Sequence, residues 1–457
     1  VASHRAVNKE SSMSHSDREP LSRHARPEAG GFDALVDTRP HRFRVHTRAY
    51  TDPAVFEAEM ERIFHSTWSF IGLESELPNP GDYKTVSIGL QPVIACRGDD
   101  GRINVMVNRC VHRGAVLTRE ARGNVREFNC PYHGWVYAHD GRLVAISERR
   151  DTGGYSEHFD APEGLHRLPR VESYRGFLFA SLNPGVAPLE QHLGHAKTLI
   201  DRRLAMSPVG QIRLRSKPYV ARYQGNWKFQ IENINDAYHF MHTHKGFVAL
   251  QAKYGDSTGD FGLHQGGTDK AMRAVRFRGA TWDLPGGHAQ IERPALHLEE
   301  DLKGEFADYF GGLQAQHGAE AMEWIAGKTS GTIFPNMGMI HQQIRTWRPI
   351  APDLTEVEIY PYELVGAPDG FNEGMLRSQE RFYGPAGHGM ADDVDIFARN
   401  QQGLAGTAVE WMILERGLDT DQLQPNGDYK GQAGSEAPQR AVWREWLRLM
   451  AGKGERA

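Results

Sequence analysis

Two short segments limit this chain more than any other feature: Cys110-Val111-His112 and Cys130-Pro131-Tyr132-His133, with seventeen residues between them. Each offers one thiolate and one imidazole, so two separate loops must bring four metal-type donors to one point. Gly114, Pro131 and the Gly134-Trp135 pair place tight-turn residues beside both segments. The surrounding chain reads as β-structure. Residues 85–88, 92–96, 103–107, 134–137 and 176–180 are short β-rich runs, and 99–101 and 139–141 are hairpin-type turns ending in Gly. The pattern predicts a small all-β module over 68–183 with a core of its own.

A Cys2His2 set satisfies zinc, but zinc fingers pair Cys with Cys and His with His. One Cys and one His per loop suits a [2Fe–2S] cluster, both Cys on one iron and both His on the other. Cys96, the third cysteine, sits in a β run and reads as a buried core residue.

A second stretch, 226–247, crowds Glu232, Asn233, Asp236, His239, His242 and His244 into thirteen residues beside Trp227, Phe229, Phe240 and Met241. Imidazoles with a nearby carboxylate are what a divalent transition metal takes; satisfied core histidines are the other reading. No Gly or Pro interrupts 229–241, which predicts a helix with Asp236 and His239 on one face. His239 and His244 are five apart, too far round an unbroken helix to face one ion. His239 is therefore expected near the helix end and His244 on the turn beyond, with Gly246 as the stop.

At 457 residues the chain has room for two or three domains. A polar stretch over 1–31 reads as a flexible tail, and 32–67 as an N-terminal helical segment packing on the larger domain, with a helix over 52–64 opened by Thr51-Asp52-Pro53. Beyond the β module, 184–457 mixes helices and strands: 354–364 reads as a strand, 409–415 and 440–450 as helices. Hydrophobic content of 39%, charged content of 24% and a net charge of −5 are ordinary for a globular protein and offer no footprint for nucleic acid. No apolar run reaches membrane-span length and no signal-peptide core is present, so neither membrane nor secretion is expected and the cytoplasm is the expected compartment.

N-R-C-V-H-R-G-A and C-P-Y-H-G-W resemble the Rieske cluster loops of ring-hydroxylating oxygenases, and N-W-K-x3-E-N-x2-D-x-Y-H-x4-H resembles that family's mononuclear iron motif. T-I-F-P-N and R-P-I-A-P-D, within 332–353, extend the likeness across about 40–452. Respiratory-type Rieske proteins are a close decoy, but Ala115 and Tyr132 stand where their extra disulfide cysteines would be. The chain is thus similar to the catalytic alpha subunits of Rieske non-haem iron oxygenases.

The resemblance implies an α+β chain: a Rieske [2Fe–2S] domain and a larger helix-grip (START-like) antiparallel-sheet domain. It implies Cys110, His112, Cys130 and His133 as cluster ligands. His239, His244 and a downstream carboxylate, Asp393, would hold Fe(II), with Asp392 the cap of that helix and the alternative ligand. Asp236 and Asn233 join as catalytic residues, Asp236 also reaching a cluster histidine of a neighbouring subunit. Phe240, Met241, Phe247 and Leu250 are expected around the substrate. O2 would be used with electrons from NADH, and because the chain lacks a nucleotide-binding glycine fingerprint, through a separate reductase with or without a ferredoxin. A homo-oligomer (α3), or one with a small β subunit (α3β3), is implied. The E-N-x2-D spacing and the C-terminal S-E-A-P-Q-R segment resemble the benzoate/salicylate branch, which implies hydroxylation of a small aromatic acid, mono- or cis-di-. Arg345 and Arg348 are candidate carboxylate partners, or else ordinary ion-pair residues. The competing reading is an electron carrier whose helix-grip half only binds a ligand; it has no use for two His and a carboxylate.

Overall fold

The computed structural model describes residues 31–452 apart from 152, 237, 255–278, 296–297 and 341. The expected tail lies outside the described residues except for Gly31, which opens a 3-10 turn, Gly31–Leu35.

The β module is built from three small antiparallel sheets. Asp82–Ile88, Gln91–Arg97 and Ile103–Val107 form a meander, with Arg122–Asn124 on its outer edge. Phe128–Asn129, Val136–Tyr137 and Leu143–Ala145 form the second, and Arg170–Tyr174, Phe177–Ser181 and Ser69–Leu73 the third. Each of the five β-rich runs carries a strand, and both Gly-ended turns join hairpins. Cys96 is fully buried, and burial pushes its thiol up to about 12.

The larger part is organised on a ten-stranded antiparallel sheet. Its longest strand, Leu354–Leu364, matches the expected bounds and pairs with Gln343–Ala351 on one side and Tyr219–Tyr223 on the other. The C-terminal helix, Ala437–Met450, packs on Ala280–Leu284 and His288–Arg293 and buries Trp443 and Trp446 completely.

Four expectations need correction. Residues 409–415 form no helix: Trp411–Ile413 is a strand on Arg44–His46, locked by the Thr47 N–H to Glu410 O bond (2.8 Å) and the Leu414 N–H to Phe43 O bond (2.9 Å). A strand partner from the far end of the chain overrides local helix preference. The 229–241 helix is broken: Lys228–Ile234 stops, and a second short helix, Phe240–Thr243, starts afresh. Asn235 donates to Ile231 O (3.0 Å) and Thr332 Oγ1, while Asp236 Oδ1 accepts from the Tyr238 and His239 N–H groups (2.8 and 2.9 Å). Side chains that hydrogen-bond the local backbone end helices in this way. Gly246 stops nothing; it lies inside Lys245–Tyr254. Finally, the β module's core is only partly its own. One cluster (Tyr83, Ile94, Met106, Phe128, Trp135, Tyr137) is private to it, but Ile88, Val93 and Val105 pack into a core shared with Phe64, Trp227 and Trp443.

The helix Pro53–Glu59, capped by the Asp52 carboxylate on the Ala54 N–H (2.9 Å), delivers Glu59 into the middle of that shared core. Glu59 is fully buried and accepts from Lys228 Nζ (2.5 Å), Trp227 Nε1 (2.8 Å) and Trp446 Nε1 (2.6 Å). The short helix before it, Arg48–Thr51, contributes Tyr50, which donates to Glu232 Oε1 (2.6 Å) together with Trp443 Nε1 (2.7 Å). Burial holds the Glu232 carboxyl up at about 7 despite these donors. Removing one partner of a buried charge pair strands the other, at about 3–5 kcal/mol. Glu59→Ala is expected to lower urea stability by about that amount, followed by tryptophan fluorescence. A loss below about 1 kcal/mol, the scale of an exposed pair, would show that Lys228 is not dependent on Glu59.

Candidate metal centres

The two Cys-His loops share one backbone design. The Cys110 N–H donates to Ala115 O (2.8 Å) and the Gly114 N–H to Cys110 O (3.0 Å); the Cys130 N–H donates to Trp135 O (2.8 Å) and the Gly134 N–H to Cys130 O (3.0 Å). Both closing glycines sit at positive φ, +78° and +65°, where a Cβ would be strained. Both thiols are free and buried, and Tyr137 Oη lies 3.1 Å from Cys110 Sγ. The His112 and His133 rings meet edge to face at 4.7 Å, and Trp135 stacks flat on His112 at 4.9 Å. His112 Nδ1 is buried with no hydrogen-bond partner. Two buried thiols, two adjacent imidazoles and one orphaned ring nitrogen fit an iron–sulfur cluster better than a packed core, which satisfies its polar atoms.

The second centre forms where the broken helix meets the later helix His388–Leu404. One ligand atom from each of His239, His244 and Asp393 lies within 4.8 Å of the others. Asp393 Oδ1 is 3.2 Å from His244 Nε2 and 3.7 Å from His239 Nε2, and accepts from Asn233 Nδ2 (3.1 Å). His239 Nδ1 faces Asp236 Oδ1 at 3.4 Å, and His244 Nδ1 faces Asp392 Oδ2 at 3.2 Å. Each imidazole is therefore backed by one carboxylate and turned with its other nitrogen towards a shared one, as ligating histidines are. Burial works against charge on His239, but Asp236 and then Asp393 raise its pKa above the usual imidazole value. That anionic field equally suits a divalent cation.

Asp392 is no helix cap. The helix starts at His388 with Gly387 before it, and Asp392 sits inside its second turn. His242 is exposed and takes no part. Phe240 and Phe247 enter an aromatic cluster with Phe382 and Tyr383, in which Phe382 and Phe240 lie 4.9 and 5.3 Å from the His244 ring. Met241 is half-buried, and Leu250, 39% exposed, stays outside the cluster. Phe382 and Tyr383 were not singled out from the sequence; an adjacent aromatic pair just ahead of the acidic helix was the available signal. Arg348 pairs with Glu356 (2.7 Å), whereas Arg345 is buried over the Tyr383 ring at 4.6 Å.

A β module with a cluster-type donor set, joined to a sheet domain carrying two His and a carboxylate, defines a two-centre redox metalloprotein. Residues 67–162 match the Rieske [2Fe-2S] domain, and 209–452 match the ring hydroxylating alpha subunit catalytic domain. The chain is 36% identical over 390 residues to the 2-halobenzoate 1,2-dioxygenase large subunit of Burkholderia cepacia, covering 82% of this chain and 80% of that one. It is 34% identical to the toluate 1,2-dioxygenase subunit alpha of Pseudomonas putida, covering 82% of each. Naphthalene 1,2-dioxygenase from Rhodococcus sp., solved with bound indole, superposes with a TM-score of 0.77 at 26% identity over 90% of this chain and 95% of that one. The chain belongs to the ring-hydroxylating oxygenase alpha subunits. It is an oxidoreductase whose cofactors are a Rieske [2Fe–2S] cluster and a mononuclear non-haem iron, a terminal oxygenase using O2 with electrons from NADH through a separate reductase. Among the described residues no helix is long and apolar enough to cross a membrane.

The arrangement predicts a split between neighbours. Asp393→Ala and His244→Ala are expected to lose the mononuclear iron while keeping the cluster's visible absorption, and Asp392→Ala to retain most of its iron. Iron analysis beside the visible spectrum checks this; iron lost only from Asp392→Ala would reassign the carboxylate.

Proposed function

We propose that His239, His244 and Asp393 hold the mononuclear iron, that Cys110, Cys130, His112 and His133 hold the cluster, and that the substrate is a small aromatic carboxylic acid. The convergence of three ligand atoms from two distant segments within 4.8 Å carries the iron reading. When bound, a two-His-one-carboxylate iron offers open positions at which O2 is activated beside the substrate. The side chains supply the rest. Asn233 donates to Asp393 and so fixes the carboxylate's angle. Asp236 and Asp392 act as positioning residues, each holding the far nitrogen of one imidazole. Phe240 and Phe382 pack against His244, with Phe247 behind them, and shield that ring from water.

The acid reading rests on the relatives: the chain is similar to large or alpha subunits of 2-halobenzoate, toluate and anthranilate 1,2-dioxygenases. Ring cis-dihydroxylation or monohydroxylation follows from that similarity. The proposal extends to a homo-oligomer, α3 or α3β3, and to a cytoplasmic setting. The domain division is drawn at 67/68 and 183/184. In an assembly of this kind Asp236 would link His239 to a neighbouring subunit's cluster. The test is an NADH-coupled assay with reductase over benzoates, salicylates and plain arenes, with product identification. Turnover of plain arenes and none of the acids would sink the substrate reading.

Asp236→Asn is expected to keep its fold, cluster and most of its iron, yet to slow oxidation of the reduced cluster on mixing with O2 and substrate. Stopped-flow absorbance reads this directly, and cluster oxidation at the unmodified rate would remove Asp236 from the electron route.

A further inference from the structure

Lys328 is a half-buried cation with no anion beside it. Lys328 opens the strand Lys328–Ile333 and faces Arg293 across the antiparallel pair. The buried lysines, Lys84 and Lys228, pair with Glu76 (2.7 Å) and Glu59 (2.5 Å). Among the described residues no carboxylate lies at ion-pair distance from the Lys328 ammonium. Burial, with Arg293 adding to it, pushes that ammonium down to about 7. A charge drawn partly out of water with no counter-charge beside it is costly until one arrives.

Lys328 lines a partly enclosed cavity of about 140 Å3. A cavity of about 150 Å3 holds one benzene ring, so this one is sized for a single aromatic ring. Phe240, Phe382 and Tyr383 form part of its wall, and the first two are the rings packed on His244. Gln342 and Gln379, nearly buried, each leave an amide oxygen in the interior without a hydrogen-bond partner. The remaining charged lining is Arg203, whose guanidinium donates to Thr329 O, and Asp301, which has an interaction of its own. Two cations against one anion leave the wall net positive.

We propose that Lys328 is the specificity-determining residue for the substrate's carboxylate: a monocyclic aromatic acid enters this cavity with its carboxylate on the Lys328 ammonium and its ring against Phe240 and Phe382. The inference rests on the aromatic-acid reading and adds the residue that enforces it. A site built around an unpaired, half-buried cation disfavours a neutral isostere, because the cation then stays unpaired.

The test compares benzoate with toluene by equilibrium dialysis on the metal-loaded enzyme. The wild type is expected to bind benzoate more tightly than toluene. Lys328→Met is expected to weaken benzoate at least tenfold and to leave toluene within twofold, with cluster absorption and iron content unchanged. Lys328→Arg, which keeps the charge, is expected to recover most of the benzoate affinity. A benzoate loss below tenfold in Lys328→Met overturns the assignment while the aromatic-acid reading stands, and a loss in Arg345→Met instead would move the role to that guanidinium. A wild type that binds toluene as tightly as benzoate overturns the aromatic-acid reading and this assignment with it. Should Lys328→Met fail to retain its metals, Lys328→Gln carries the same comparison.

Discussion

The Glu59 carboxylate, fully buried under Lys228, Trp227 and Trp446, is the contact on which the remaining architecture hangs. It joins three segments that are far apart in sequence: the N-terminal helix, the helix that leads to the metal-binding turn, and the C-terminal helix. A charge removed from water is tolerable only with its full set of donors, so packings that separate these segments leave it stranded at a cost of about 3–5 kcal/mol. Glu232 repeats the device with Tyr50 and Trp443. The same face of the molecule takes up Ile88, Val93 and Val105 from the β module, which couples the small domain to the large one through apolar packing.

That anchoring explains why the helix can break where it does. Lys228–Ile234 is held at its start by Glu59 and against the sheet by Asn235 on Thr332. The chain is then free to turn, and Asp236 uses one carboxylate oxygen to begin the next turn and to face His239. An unbroken helix would have pointed His239 and His244 in different directions; the break brings both to Asp393. Polar geometry here is set by short-range backbone hydrogen bonds, and its position by the buried ion pair further up the same helix.

The two centres differ in how they are shielded. The cluster-type loops keep their thiols buried but leave Tyr132 57% exposed on the His133 side, a surface open to a partner. The histidine–carboxylate centre is closed in by Phe240, Phe247 and Phe382, with His244 and Asp393 almost fully buried. An electron-transfer site needs close approach from outside, and an oxygen-activating site needs a dry pocket.

Local chemistry was legible in the sequence. The β-rich runs with their glycine turns and the 354–364 strand depend on spacing along the chain, and they appear where spacing placed them. Long-range partners were not legible. Residues 409–415 look helical until Arg44–His46 supplies a strand edge, and 229–241 looks like one helix until Thr332 and Asp236's own backbone bonds divide it. Asp392 looks like a cap until the helix is seen to begin four residues earlier. Phe382 beside His244, and Lys328 in a cavity with no carboxylate at ion-pair distance from it, have no periodic signature at all. The sequence by itself determined which donors are available and how they are spaced, because those are properties of the chain alone. The tertiary structure alone decided which donors meet, which stay exposed and which charge is left unpaired. Those outcomes depend on burial, and burial is set by contacts between segments hundreds of residues apart.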